Sequence, residues 1–305
     1  MINFYLNSDK LKAISATASA KKIRVNRIYD LDFPNEFLSE PDADKLNVKL
    51  TEAMLNIIRA GDIKTHSAGF VIDDSKISFR EMILPQGKPL QLAPIIKSEL
   101  FNDPRQAERN TVDYVEIERD INEDHQNRVM VTYLENSIID NIKKCGKDVS
   151  INITSLDIQQ NALSKLVWFM RDMLPENFML ADYHITYATT YLFLKHKHEF
   201  SMTKSIFSVP SEGFANETAF FINDFSVQIS DALSFFMSRY EGVHFDTVYL
   251  TGSTFLLEPC ISHIAGLLNT NIQILPKPDS VEGVALHEFC LLYTSPSPRD
   301  TERSR

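Results

Sequence analysis

The sequence predicts an α/β protein built from two similar halves, with a small α/β subdomain inserted into the first. Each half opens with a strand hairpin and continues in strand–helix units. Residues 66–154 run through a ββαββαβ order of their own. The strand Tyr191-Leu192-Phe193-Leu194 is apolar on both faces, as befits a sheet covered on both sides. At 305 residues the chain can bury a sizeable core in two domains.

The opening alternates apolar and polar residues and reads as a hairpin over 2–15, with its turn near Asn7-Ser8-Asp9. A strand is expected over 22–29. Leu46, Leu50, Met54, Ile57 and Ile58 then recur at helical spacing, with Asp42 or Asp44 to cap the helix and Gly61 to end it. In the insert, strands are expected at 69–72, 77–84, 112–117, 128–133 and 151–153. Helices fall at 92–100 and at 137–145, the second closed by Gly146. Leu163, Leu166, Val167 and Met170 mark the next helix. Residues 177–195 return to strand character, with a hairpin into 199–206. Phe221, Phe225, Ile229, Leu233 and Phe236 give a long helix a wide apolar face. Its acids (Glu217, Asp224, Asp231) and late Arg239 make that stripe core, not a membrane surface. A strand at 247–250 leads into Thr251-Gly252-Ser253. A helix through Leu257, Ile261, Ile264 and Leu268 and a strand at 272–275 follow, and 281–289 is an apolar, helix-compatible run.

Composition narrows the function. A formal charge of -10 argues against a binder of phosphate backbones, and the short basic run Lys21-Lys22-Ile23-Arg24 reads as a solvated strand edge. No run of about 18 apolar residues is present, and Asn3, Asn7 and Asp9 interrupt any signal-peptide pattern, so a cytoplasmic chain is expected. Cys145, Cys260 and Cys290 form no metal pattern and read as buried thiols. Residues 290–305 (CLLYTSPSPRDTERSR) resemble a translated sequencing-adapter tail, which implies a native C-terminus lost from the sequence.

The duplication is the signature of an actin-like (ribonuclease H-like, duplicated) fold. The expected divisions are 1–65 plus 155–178 for the first subdomain, 66–154 for the insert, and 179–289 for the second half. Five segments then resemble the PilM family of type IV pilus assembly proteins, in order: KISFREMILP (76–85), 90–100 with Glu99, TVDYVEIE (111–118), SLDIQQNAL (155–163) with Asp157 and Ala162-Leu163, and VYLTGSTFLL (248–257). The resemblance implies a cytoplasmic adaptor at the inner membrane. It would bind the N-terminal tail of a PilN-like protein and connect to other pilus components, touching the membrane only through partners.

The sequence departs from the family where phosphate would bind. The first loop, D-I-G-x-x in the family, corresponds to Asn3-Phe4-Tyr5-Leu6-Asn7. The second, D-I-G-x-x-x-T, corresponds to the stretch from Asp182 through His184 and Thr186 to Thr189. In the adenosine turn Gly252 survives and Ser253 replaces a glycine. Tyr5 and His184 thus stand where a phosphate cradle wants glycine and often positive φ, at an expected cost of about 1–3 kcal/mol. Asn3 also lacks the charge that organises a Mg²⁺ hydration shell. With nine glycines, no two within five positions, no P-loop or GxGxxG exists. The expectation is a pseudo-ATPase scaffold without cofactor. The alternative, resting on Asp182, Thr186, Thr189 and Gly252, is an ATP-binding switch or filament former. A sugar or acetate kinase lacks both the glycines and a general base.

Other residues are weaker candidates. His196 and His198 could make a metal pair but read as an exposed hairpin tip, Lys195 to His198. Cys260 and His263 sit at helical spacing with no partner pair and read as a core-edge contact. Ser253 lacks the G-x-S-x-G elbow of a nucleophile and reads as a helix cap.

Overall fold

The computed structural model describes residues 2–7, 10–19, 22–32, 43–73, 77, 79–184, 187–205, 215–240, 242–245, 247–252, 261–266, 268 and 270–284. In chain order the elements are β1 (Ile2–Leu6), β2 (Lys10–Ala18), β3 (Ile23–Asp32), α1 (Ala43–Gly61), β4 (Ser67–Ile72), β5 (Phe79–Pro85), α2 (Pro89–Leu100), α3 (Pro104–Arg109), β6 (Asn110–Glu118), β7 (Gln126–Glu135), α4 (Asn136–Asp148), β8 (Asn152–Ile158), α5 (Gln159–Phe169), β9 (Phe178–Tyr183), β10 (Tyr187–Leu194), β11 (Lys197–Ser205), α6 (Ala215–Arg239), β12 (Thr247–Gly252), β13 (Asn271–Ile274) and β14 (Val281–Glu282). Residues 261–266 are also helical. The chain divides into two compact units, 1–13 with 28–161 and 14–27 with 162–305.

The first unit is built on the sheet order β3-β2-β1-β4-β8, with β4 and β8 parallel to β1. Alternation sends Ile2, Phe4 and Leu6 of β1 into the core beside Phe70 and Ile72 of β4. Phe4 and Phe70 stack at 6.1 Å. On α1, Leu46, Leu50, Ala53, Met54 and Ile57 form the apolar stripe that covers these residues, joined by Ile142 and Cys145 of α4. Each Leu, Ile, Met or Phe of this set stabilises the unit by about 1.5–3 kcal/mol when fully buried. A separate three-stranded sheet, β5-β7-β6, buries Met82, Leu84, Val129 and Val131 beneath Leu92 and Ile96 of α2.

Several local readings change. Within 66–154, β4, α4 and the start of β8 belong to the first unit's main sheet and its core, so the separate sheet spans only 79–135. Strand β8 runs on to Ile158, across the expected boundary at 154/155. Gly146 does not close α4. It lies inside the helix, where an added Cβ would stand 2.8 Å from the Ile151 carbonyl oxygen, so it serves close helix–strand packing. Helix α3 was not expected, although Asp103-Pro104 is a start signal: the Asp103 carboxylate accepts the Arg105 N–H at 2.9 Å and Pro104 takes the first turn. Val281-Glu282 is a strand, paired in parallel with Ile23 and Arg24 of β3. Residues 290–305 and the capping position Asp42 lie outside the described residues.

The second unit repeats the plan. Its sheet order is β11-β10-β9-β12-β13, with β9, β10 and β11 antiparallel and β12 and β13 parallel to β9. Phe225, Ile229, Ala232 and Phe236 of α6 pack on Met179, Ala181 and Tyr183 of β9, so the described part of the stripe is core as expected; the Phe221 side chain lies outside the described residues. No helix among the described residues is long and apolar enough to cross a membrane.

Candidate functional site

In the first unit, the face of β1 opposite the core carries Asn3, Tyr5 and Asn7, all buried. Asn7 closes the leading hairpin twice. Its amide N–H donates to the Lys10 carbonyl at 3.1 Å, and its Oδ1 accepts the Lys10 N–H at 2.8 Å. The Tyr5 hydroxyl donates to Asp73 Oδ2 at 2.8 Å, and the Asp73 N–H donates to the Leu6 carbonyl at 2.8 Å. Lys12 Nζ lies 5.8 Å from the Tyr5 ring centre. Gly69 pairs with Asn3 across the parallel ladder, and a Cβ there would stand 2.3 Å from Asn3 Oδ1. Side chains therefore occupy the end of this hairpin.

In the second unit the corresponding face of β9 carries Asp182, flanked in register by Thr189 on β10 and Thr251 on β12. All three are buried. His184 follows the strand; its Nε2 lies 3.1 Å from Asp182 Oδ2, and its ring stacks on Tyr187 at 4.5 Å. The His184 N–H donates to the Tyr187 carbonyl at 2.9 Å, joining the end of β9 to the start of β10. At the end of β12, Gly252 has φ +104°. A Cβ there would stand 2.0 Å from the Tyr183 carbonyl oxygen, so only glycine fits this position.

The expectation of backbone strain at Tyr5 and His184 is not met. Neither has positive φ: Tyr5 lies inside β1, and His184 is bonded across the hairpin it closes. Both bulky residues therefore sit in backbone that any residue adopts. Thr186 and Ser253 lie outside the described residues, as do Cys260 and Cys290.

The other histidines resolve differently from expectation. Lys195 and His196, with φ 50° and 61°, form a two-residue hairpin turn, and His196 bonds through Nε2 to the Leu174 carbonyl at 3.0 Å. His198 is not exposed. It is buried between Tyr191 and Phe193, and burial pushes its pKa down to about 4, partly opposed by a hydrogen bond to the Phe200 backbone. Neither belongs to any group of three possible metal ligands among the described residues. His263 is exposed, not a core-edge contact. Cys145 is buried, and burial raises its thiol pKa, as fits an unreactive core residue.

Sequence reading missed Asp73. Its signal was present: a carboxylate directly after an apolar parallel strand, Gly69 to Ile72, beside the leading hairpin.

With this geometry in hand, the chain can be set beside solved structures. It superposes on a chain of the PilM–PilN type IV pilus biogenesis complex with a TM-score of 0.74, at 12% identity, over 92% of this chain and 89% of that one. It also matches a Bacteroides thetaiotaomicron protein of actin-like ATPase fold and unknown function, with a TM-score of 0.54, 11% identity, and 95% and 94% of the two chains covered.

The fold is actin-like.

The cytoplasmic domain of EpsL, an inner-membrane component of the Vibrio cholerae type II secretion system, matches at a TM-score of 0.50 and 10% identity, covering 96% and 93%. No protein-family model matches the chain, and no curated protein matches it in sequence. The resemblance read from the five ordered segments is thus met at the level of the actin-like fold. At these identities it carries no residue's role.

Proposed function

We propose that this chain is a non-catalytic, actin-like scaffold of a type IV pilus or related secretion machine. It holds the N-terminal tail of a PilN-like inner-membrane protein and works on the cytoplasmic side through such partners. The observation that carries the non-catalytic part is the closure of both leading hairpins by their own residues. A phosphate cradle needs inward-pointing N–H groups and a carboxylate able to order Mg²⁺ hydration. Here the N–H groups of Asn7 and His184 are spent on Lys10 and Tyr187, and Asp73 and Asp182 are engaged by Tyr5 and His184. Asn3 supplies no charge at all. These engagements and the missing charge at Asn3 support a pseudo-ATPase reading, while Gly252 keeps the positive φ of a glycine turn.

Support for the partner comes from the similarity to the PilM–PilN structure over most of both chains. Capture of a synthetic PilN-like N-terminal peptide tests it, and failure with the cognate sequence would remove the adaptor reading. Titration of Mg·ATP tests the other half. A bound ligand at 100 times its dissociation constant adds about 2.7 kcal/mol to the native state. The expected result is no saturable rise in unfolding midpoint. A clear rise would instead favour a nucleotide-driven switch.

A further inference from the structure

The second unit ends α5 with an apolar corner that its core does not use. Val167 and Met170 are buried, but Trp168, Phe169 and Met173 remain 47%, 37% and 48% exposed within six residues of sequence. The corner is ordered. Met170 N–H bonds back to Leu166, and Met173 N–H to Met170 at 2.8 Å. The Arg171 guanidinium lies 4.9 Å from the Trp168 ring centre and donates through Nη1 to the Trp168 carbonyl at 2.9 Å. The segment is also fixed to the β10–β11 turn. His196 N–H donates to the Glu176 carbonyl at 3.1 Å, and Lys195 N–H to Asn177 Oδ1 at 3.2 Å. Lys195 in that turn and Lys197 at the start of β11 are exposed.

We propose that this corner docks on an anionic lipid bilayer, with Trp168, Phe169 and Met173 at the headgroup boundary and Arg171, Lys195 and Lys197 facing lipid phosphates. Two observations favour a bilayer over a protein. Three half-exposed side chains offer roughly 300 Å², well short of the ~800 Å² per partner of a stable protein interface. Aromatic and thioether groups flanked by cations suit the interfacial zone, where a ring's apolar body and polar edge are both satisfied. Asp172 and Glu176 lie in the same segment and temper the attraction, so binding is weak and reversible, as a single small anchor should be.

Trp168 is the chain's one tryptophan, so its emission reports on this corner alone. The full chain is mixed with vesicles of phosphatidylcholine, with and without phosphatidylglycerol, and followed by Trp emission and co-sedimentation. Expected are a blue shift and sedimentation with the anionic vesicles only, both reversed by high salt. The double substitution F169S/M173S keeps the reporter and lies on the surface; it should weaken partitioning about tenfold or more with unchanged circular dichroism. K195E/K197E should abolish the preference for anionic lipid. Three outcomes overturn the proposal: no shift or sedimentation with anionic vesicles, a shift that grows with protein concentration without vesicles (a second copy of the chain), or equal binding by F169S/M173S. Bare vesicles hold no pilus protein, so the result is independent of the adaptor reading.

Discussion

The two sheets share one strand order yet seal their leading hairpins differently. In the first unit the sealing groups come from several strands: Tyr5 reaches Asp73 beyond β4, and Asn7 folds back on Lys10. In the second the sealing is local, with His184 bonded to Asp182 two residues away and stacked on Tyr187 across the turn. One topology thus tolerates two chemistries at the same corner. What the two units keep in common is a close approach at a glycine, and the nature of that approach differs. Gly252 faces the Tyr183 backbone, whereas Gly69 faces the Asn3 side chain.

The largest effect should come from breaking this pair. In Gly252→Ala, the new methyl would meet a carbonyl oxygen at 2.0 Å with φ at +104°, and neither can move without opening the β9–β12 ladder. Strain and overpacking together should cost about 3 kcal/mol or more. Gly69→Ala meets the ends of two side chains, the Asn3 amide and the Ser155 hydroxyl, and should cost about 1–2 kcal/mol. Asn3→Ala should recover part of that loss in the double mutant, as expected for residues that touch. Denaturant unfolding of the four variants checks this, and equal losses at the two glycines would contradict it.

The strands beside β2 and β10 sharpen the contrast through pH. Strand β3, joined by β14 only at Ile23 and Arg24, is largely exposed, but β11 buries His198 against Tyr191 and Phe193. Its folded pKa of about 4 lies below the ordinary value of 6.5, so between these values the unfolded chain binds more protons. The associated stability is complete above pH 6.5, falls as pH drops toward 4, and has no further dependence below. The loss is on the order of 3 kcal/mol at most. Hydrogen exchange should show β10 and β11 opening before β1 and β4 as the pH falls through this window. His198→Phe should flatten that response, and an unchanged pH profile would assign the effect to other groups.

Much of this architecture was legible because period and length agree. The α1 stripe at Leu46, Leu50, Met54 and Ile57 and the first leading hairpin have one consistent reading each, whereas 177–195, read as one stretch of strand, is the antiparallel pair β9 and β10. Other features depend on distant neighbours. Gly146 reads as a helix stop until Ile151 and Ile153 are seen packed against it. β4 reads as part of the insert because its partner β1 lies some 65 residues earlier in the chain, and β8 because its partner β4 lies some 85 residues earlier. At the site, the lost glycines and Asp182 were visible in sequence. The engagement of Asp73 by Tyr5 was not, since a separation of 68 residues leaves no local signal. Nor could sequence show that Tyr5 and His184 avoid positive φ.

The smallest effect concerns that Tyr5–Asp73 bond. Tyr5→Phe keeps the ring and its contact with Lys12 but removes one donor from a buried carboxylate, at about 1–3 kcal/mol. The lower half of that range is expected, because Asp73 also bonds Leu6 through its own N–H, which keeps the strand end in place. If the first unit's hairpin is held by several strands while the second is held locally, Tyr5→Phe should lower global stability with little change in exchange at residues 2–7. His184→Ala should instead raise exchange selectively at Tyr187 and its neighbours. Amide exchange on the two variants separates these cases, and local opening around Tyr5 would mean that a single bond, not a network, closes the first corner.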